Sequence, residues 1–170
     1  MLHSVKIIKP KESLDASVTP VVFDFKSGHD AFAAVLFWQG RLMLVNLALK
    51  VARTVGVDLT CFDIAGLEEE RSRIVNNIFM AWPYTAEQGE FGTIAFVHAL
   101  IAVWGALAES PCLGDSSRDT RRVWLIHRLH NILHKQPNAS AAGNMSAVSN
   151  QMMGGIIVDW ASLMGQGWLK

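Results

Sequence analysis

Residues 30–54 read DAFAAVLFWQGRLMLVNLALKVART, and this stretch decides the fold. It contains no proline, and the polar residues just before it offer helix-capping groups, so it predicts one long helix. With about 100° of rotation per residue, the apolar side chains occupy nearly the whole helix surface. The remaining narrow stripe is polar and consists of Gln39, Asn46, Lys50 and Arg53. A helix of this kind is buried in a core, an interface or a membrane, so the rest of the chain is expected to cover it.

Arg41 lies opposite that polar stripe, among apolar neighbours. Its guanidinium could reach the surface along the aliphatic stem, or it could be buried and held by a carboxylate. Its own helix offers only Asp30, about three turns away. Asp159 is the only charged residue between Lys135 and Lys170, and it is therefore the best candidate partner. An Arg41–Asp159 pair would fix the register between the central helix and the C-terminal part of the chain.

The composition predicts a single domain with an apolar surface. The chain has 170 residues, of which 51% are hydrophobic and only 18% are charged. We expect one domain over residues 1–170, divided into a short β element at 1–26 and a helical body at 27–170. So few charged residues leave a surface that a partner is expected to cover in part.

The remaining elements follow from local patterns. Two runs rich in β-branched and aromatic residues, at 5–8 and 21–25, predict two short strands, arranged as a hairpin. Helical spacing of apolar residues predicts further helices at 67–82, 93–109, 118–135 and 147–164. The predicted fold is therefore mainly α, with about five helices around 30–54 and 93–109 and a small N-terminal two-stranded β element.

Two details of the 67–82 helix carry separate expectations. Pro83 predicts its end, followed by a polar loop over residues 84–92. Glu68, Glu69 and Glu70 lie in its first turns and point in different directions, so a solvated face is favoured over an acidic metal site.

Residues 91–108 form a stretch of eighteen residues without a formal charge, which reaches the length of a transmembrane helix. His98 interrupts the stretch, and neither Lys nor Arg anchors its ends. A core helix with His98 as a hydrogen-bonded core histidine is therefore favoured, and membrane association through 91–108 is an alternative.

The helix predicted at 118–135 carries the most informative polar pattern. His127, His130 and His134 share one stripe and could bind zinc or another transition metal. No carboxylate lies between residues 120 and 149 to complete such a site, so no metal is assigned. A metal protein or enzyme built on this stripe, with His98 as a further ligand, remains the alternative to a polar helix flank.

Several side chains are candidates for contacts with a partner. The C-terminal part of the chain is rich in Met and Trp, which adapt well to apolar binding faces. The basic stretch 118–135 adds arginines that could face a partner. The candidate interaction residues are Arg41, Arg121, Arg128, Met152, Met153, Asp159, Trp160 and Trp168.

The function predicted from these features is a non-enzymatic protein–protein interaction or assembly subunit, such as an adaptor, inhibitor or structural component. The sequence carries no phosphate-binding or nucleophile motif, and no cofactor is expected. A formal net charge of zero argues against nucleic acid as the partner, which leaves another protein or a second copy of the chain. Two cysteines and an N-terminus without an apolar signal region predict a cytoplasmic protein.

Overall fold

The computed structural model describes residues 5–11, 13–55, 63–109, 115–133 and Asn150. These residues are mainly helical with a small antiparallel sheet, as the sequence predicts. The elements in chain order are β1 (Lys6–Ile8), α1 (Ser13–Ala16), β2 (Val22–Asp24), α2 (Gly28–Val55), α3 (Ile64–Glu87), α4 (Gly89–Glu109) and α5 (Asp115–Leu133). The described part of the chain thus has four long helices and one helical turn. The helix predicted at 147–164 lies outside the described residues, apart from Asn150.

The two predicted strands pair as an antiparallel hairpin that packs on α3. Ile7 lies opposite Phe23, and β1 is exposed while the first two residues of β2 are buried. The ring of Phe23 stacks on Trp38 of α2 at a centroid distance of 5.6 Å. Phe25, just after β2, meets Tyr84 of α3 edge to face at 5.3 Å. The aromatic residues of β2 therefore hold the hairpin against two helices, since a lone hairpin is marginal in water.

α2 is the organising helix, but only one of its faces lies in the core. The buried positions recur every three or four residues and form a stripe of Ala31, Val35, Trp38, Leu42, Val45, Leu49 and Ala52. This stripe packs against α3 and α4. The predicted polar stripe lies beside the core stripe, and Asn46 is fully buried. Apolar side chains therefore remain on the opposite, exposed face.

α3 does not end at Pro83 as predicted; it continues through to Glu87. Proline removes one helical hydrogen bond, but its neighbours Trp82 and Thr85 are buried and hold the backbone in place. The Thr85 hydroxyl also donates to the carbonyl oxygens of Ala81 and Trp82, at 3.2 and 2.8 Å. Tertiary packing thus overrides the local helix-breaking rule.

The prediction of a polar loop at 84–92 is wrong: α3 runs to Glu87, α4 begins at Gly89, and only Gln88 lies between the two helices. Gly89 adopts a positive φ of 80°, which glycine tolerates without steric cost, and α4 begins there. At Gly92 a Cβ atom would lie only 2.5 Å from the carbonyl oxygen of Thr85. The missing side chain therefore lets α4 fold back closely along the end of α3.

α4 is a core helix in contact with α2, α3 and α5. Its core side is almost inaccessible to solvent and comprises Phe96, Ala99, Leu100, Ala102, Val103, Ala106 and Leu107. His98 is exposed on the opposite side, so the prediction of a core histidine is wrong. Within the described residues, only Gly28–Arg53 is long and apolar enough to cross a membrane, and one third of it is buried; the apolar part of α4, Phe96–Ala108, is shorter.

Candidate interaction surface

The face of α2 that points away from the core carries a second apolar stripe. We call it the outer seam, and it consists of Ala33, Leu36, Phe37, Gly40, Leu44, Leu47 and Val51. Phe37 and Leu44 are 69% and 61% exposed, values that are unusual for large apolar side chains. A Cβ atom added at Gly40 would meet nothing within 4 Å. The outer seam is therefore open at its centre, and its spacing is that of a helix face that packs on another helix.

The outer seam becomes less exposed toward the C-terminal end of α2. Leu47 and Val51 are only partly exposed, in contrast to Leu44. Lys50 lies at the edge of the seam at the same level, and its Nζ donates a hydrogen bond of 2.9 Å to Oδ1 of Asn150. The start of the C-terminal part of the chain is therefore placed beside this end of the seam.

Arg41 flanks the outer seam and pairs with Glu70 of α3. Its Nε and Nη2 donate to the two carboxylate oxygens of Glu70, at 2.6 and 3.1 Å, in a two-pronged geometry. The hydrogen bond from Arg41 lowers the pKa of Glu70 below its ordinary value, against the opposing effect of burial. The Arg41 side chain is 49% exposed, so the interpretation of a buried guanidinium is wrong. Asp159, its predicted partner, lies outside the described residues.

Glu68 and Arg71, both on α3, form a buried ion pair on the side of that helix that meets α2. Both residues are inaccessible or nearly so, and the Glu68 carboxylate accepts from Nη2 of Arg71 and, at 2.5 Å, from Nη2 of Arg53. Nη1 of Arg71 reaches Oδ1 of Asn46 at 3.5 Å. The expectation of a solvated face is therefore wrong for Glu68 and for Glu70, because α2 supplies the guanidinium groups of Arg53 and Arg41 where these carboxylates point.

Asp15 is a buried carboxylate that the sequence did not single out. It belongs to α1, and its Oδ1 accepts hydrogen bonds from Trp124 Nε1 at 2.9 Å and from Arg128 Nη2 at 2.7 Å. The Arg128 guanidinium also lies 5.6 Å from the ring centroids of Trp82 and Trp124. Arg128, a candidate interaction residue, is thus engaged inside the fold.

Two further arginines of α5, Arg121 and Arg122, also lie over aromatic rings. The guanidinium of Arg121 is 5.1 Å from the ring centroid of Phe79, and burial lowers the pKa of Arg121. Arg122 lies 4.7 Å from the ring centroid of Trp104. Arg121 and Arg122 therefore pack their guanidinium groups on α3 and α4 through cation–π contacts, whereas Val123 and Ile126 expose apolar side chains on the outer side of α5.

The predicted histidine stripe is described only in part. His127 is exposed on α5, whereas the side chain of His130 and the whole of His134 lie outside the described residues. Among the side chains that the structure describes, no group of three His, Cys, Asp or Glu residues could hold a metal ion. Met152, Met153, Trp160 and Trp168 also lie outside the described part of the chain.

One apolar pocket of about 410 Å³ opens where the starts of α2 and α4 meet the end of α3. Phe32, Val35 and Phe96 line it, with His29 as its titratable side chain. The buried hydroxyl of Thr85 also reaches it but is engaged with helix carbonyls. The described lining residues are mainly apolar and include no paired acid and base, so they do not point to a particular reaction.

No known protein family matches this chain, and no characterised protein or solved structure shows significant similarity to it. The assignment of the outer seam as an interaction surface therefore depends on the geometry of this structure alone. Sequence reasoning missed Asp15 and Glu70 because their partners are distant in sequence. The i, i+3 spacings of Glu68 with Arg71 and of Glu70 with Arg73 are local signals that would have indicated ion pairs on α3.

Proposed function

We propose that this protein is a non-enzymatic interaction or assembly subunit that binds another protein chain through the outer seam of α2. The observation that carries the proposal is the exposure of Phe37 and Leu44 on a helix whose other face is firmly packed. Soluble monomers rarely leave contiguous large apolar side chains uncovered on one helix face. A cytoplasmic location goes with this proposal.

The shape and border of the outer seam suit a helical partner. Phe37, Gly40 and Leu44 recur at intervals of three and four residues, the spacing at which one helix packs on another. Arg41 and Lys50 lie along its two edges and would form a polar rim around an apolar centre. We also propose that residues 147–164 form a fifth long helix, as their apolar spacing predicts.

A protein partner is favoured over a lipid bilayer by the charges of α2. Arg41 is midway along the helix, and its two-pronged bond to Glu70 ties it to α3. A spanning α2 would carry this guanidinium into the hydrocarbon region, where a charged side chain is costly. Among the described helices only Gly28–Arg53 is long and apolar enough to span, so the membrane alternative, first considered for 91–108, is tested on α2 as an outcome of the experiment.

The test compares the complexes that wild type and a seam variant form in extracts of the native cell. In Phe37→Glu/Leu44→Glu both changes are at exposed positions, so folding should be preserved. Val123→Glu on α5 is the matched control, since that side chain is 65% exposed on another helix. We expect the wild type and the control to elute in the same stoichiometric complex, with a second copy or another protein, and the seam variant to elute alone.

Identical elution of all three proteins would overturn the proposal. If wild type and the control sediment with lipid vesicles and the seam variant does not, the surface binds a membrane and not a protein partner.

A further inference from the structure

One edge of the outer seam carries two opposite charges. Asp30 and Arg41 are exposed, and the sequence between His29 and Lys50 contains no other Asp, Glu, Lys or Arg. They are eleven residues apart, about three helical turns, so they lie along the same edge of α2. The distance between them along the helix axis is about 16 Å, so they do not pair with each other within one chain.

Both charged groups can accept a further partner. Oδ2 of Asp30 accepts a hydrogen bond of 2.8 Å from the Ser27 hydroxyl, and a carboxylate has room for several such bonds. Glu70 engages Nε and Nη2 of Arg41, and half of the Arg41 side chain remains exposed. Because a guanidinium has five N–H donors, a second carboxylate can bind Arg41 from the side of the seam.

A second copy of α2, running antiparallel to the first, matches these charges. A two-fold axis that lies in the interface, perpendicular to both helices, places the same edge of each helix on the same side. When this axis passes midway between residues 30 and 41, Asp30 of each copy is level with Arg41 of the other. One self-pairing therefore forms two equivalent ion pairs.

The apolar residues of the seam fit the register that the charges define. Leu36 lies next to the two-fold axis, so it meets Leu36 of the second copy. Phe37 lies nearer the charged edge, and its level differs from that of Phe37 in the second copy by only about 4.5 Å, which brings the two rings within reach. The register thus places the largest exposed side chains of this part of the seam against each other.

The centre of the seam is small enough for close approach. Ala33 of one copy is within two residues of the level of Gly40 in the other, and a Cβ atom added at Gly40 would meet nothing within 4 Å. Leu36 and Phe37, which are 46% and 69% exposed, lie on the two sides of this small centre. Helices approach closely where small residues meet and larger ones interdigitate beside them.

We propose that the partner of the outer seam is a second copy of this chain, in a two-fold symmetric dimer of antiparallel α2 helices centred beside Leu36. Apolar side chains form the middle of the contact, and Asp30 and Arg41 form a charged rim along one edge. A second copy supplies both complementary charges at the required spacing, because it carries the same helix. This inference rests on the proposed function, since it names the partner of the same surface.

The first test is disulfide formation in the full chain with Cys61 and Cys112 replaced by Ser. Leu36→Cys places the thiols of the two copies beside the two-fold axis, within disulfide reach. Leu44→Cys is the matched control on the same seam, because its two thiols are about 25 Å apart along the helices in this register. We expect mild oxidation to cross-link two chains of Leu36→Cys and to leave Leu44→Cys reduced.

The second test reverses each charge and measures the dissociation constant of the dimer by analytical ultracentrifugation. Asp30→Arg sets two cations opposite each other and Arg41→Asp sets two anions there, so each variant alone should dimerise at least about tenfold more weakly than wild type. An equimolar mixture of the two variants regains both ion pairs and should form a mixed dimer as tightly as wild type does. Recovery in the mixture also shows that both variants fold.

Lys11→Glu is the control for the change of charge. Lys11 is exposed and pairs with Glu87 rather than with a residue of α2, so this variant should dimerise as wild type does.

Cross-linking of both cysteine variants, or a mixture that dimerises no better than its components, would overturn the antiparallel register. A purified wild type that stays monomeric at high concentration would overturn the dimer itself. If that monomer still enters seam-dependent complexes in cell extracts, the proposed function stands with another protein as the partner. If it enters none, the inference and the proposed function both fail.

Discussion

Nη2 of Arg128 donates a hydrogen bond of 2.7 Å to Oδ1 of Asp15, across 113 residues of sequence. The same oxygen accepts from Nε1 of Trp124, whose ring is buried against Phe79 at a centroid distance of 5.1 Å. One carboxylate on α1 thus ties the connection between the two strands to α5. The N-terminal β element is held on the helical body by a polar contact as well as by its aromatic residues.

We expect Asp15→Ala to lower the free energy of unfolding by about 3–5 kcal/mol, since it removes a buried carboxylate from a guanidinium that is only 14% exposed. Asp15→Asn keeps an acceptor for Trp124, so its free energy of unfolding should lie between those of Asp15→Ala and wild type. Urea titration measures both. Lys11→Ala is the control. Both side chains of the Lys11–Glu87 pair are exposed, so this change should leave the free energy of unfolding almost unchanged. If Asp15→Ala matched Lys11→Ala, the buried bond would be irrelevant to stability.

Glu68 and Arg71 should be strongly coupled. Both side chains are almost fully buried, so Glu68→Gln or Arg71→Met alone is expected to cost about 3–5 kcal/mol. The double variant should cost clearly less than the two single changes together, because neither charge is then left alone. Arg73→Met is the control for an exposed ion pair: Arg73 lies 4.0 Å from Glu70, and its loss should lower the free energy of unfolding by less than about 1 kcal/mol. Additive losses in the double variant would show that the two side chains act independently.

The pair of Arg41 and Glu70 should make stability depend on pH. The hydrogen bond from Arg41 lowers the pKa of Glu70 in the folded state, so the unfolded carboxyl, with a pKa of about 4.3, binds its proton first as the pH falls. The stabilisation is present above that value and is lost as the pH falls through the lower, folded pKa.

In urea titrations, wild type should therefore exceed Glu70→Gln in stability by a constant amount between about pH 5 and 7, with the gap closing below about pH 4. Arg41→Met should show the same closing gap, because it removes the same pair. If the difference in stability between wild type and these variants stayed the same down to pH 3, the Arg41–Glu70 pair would not be the cause of the pH dependence.

The helices and strands were largely predictable because each follows a local pattern. The runs at 5–8 and 21–25 are β-branched and aromatic, and the structure has β1 and β2 within them. The long apolar stretch at 30–54 falls within α2. Pro83 shows the limit of local rules, since buried neighbours on both sides carry α3 past it to Glu87.

The candidate surface was less predictable, because α2 is apolar on nearly every side. A helix wheel of such a sequence does not distinguish the face that meets α3 and α4 from the face that meets solvent. In the structure Asn46, from the polar stripe, is buried, whereas Phe37, from the apolar surface, is exposed. The buried Arg71 of α3 partly explains why the Asn46 side of α2 faces the core, since its guanidinium reaches the Asn46 amide oxygen.

The sequence by itself thus determined the class of fold, the positions of the helices and the excess of apolar surface, all of which depend on composition and spacing along the chain. Only the tertiary structure decided that Arg41 meets Glu70, that Asp15 meets Arg128 and that the outer seam faces away from the core. These contacts join residues 29 and 113 positions apart. Their formation depends on how whole helices pack, because an ion pair forms only where packing brings both charges to the same point.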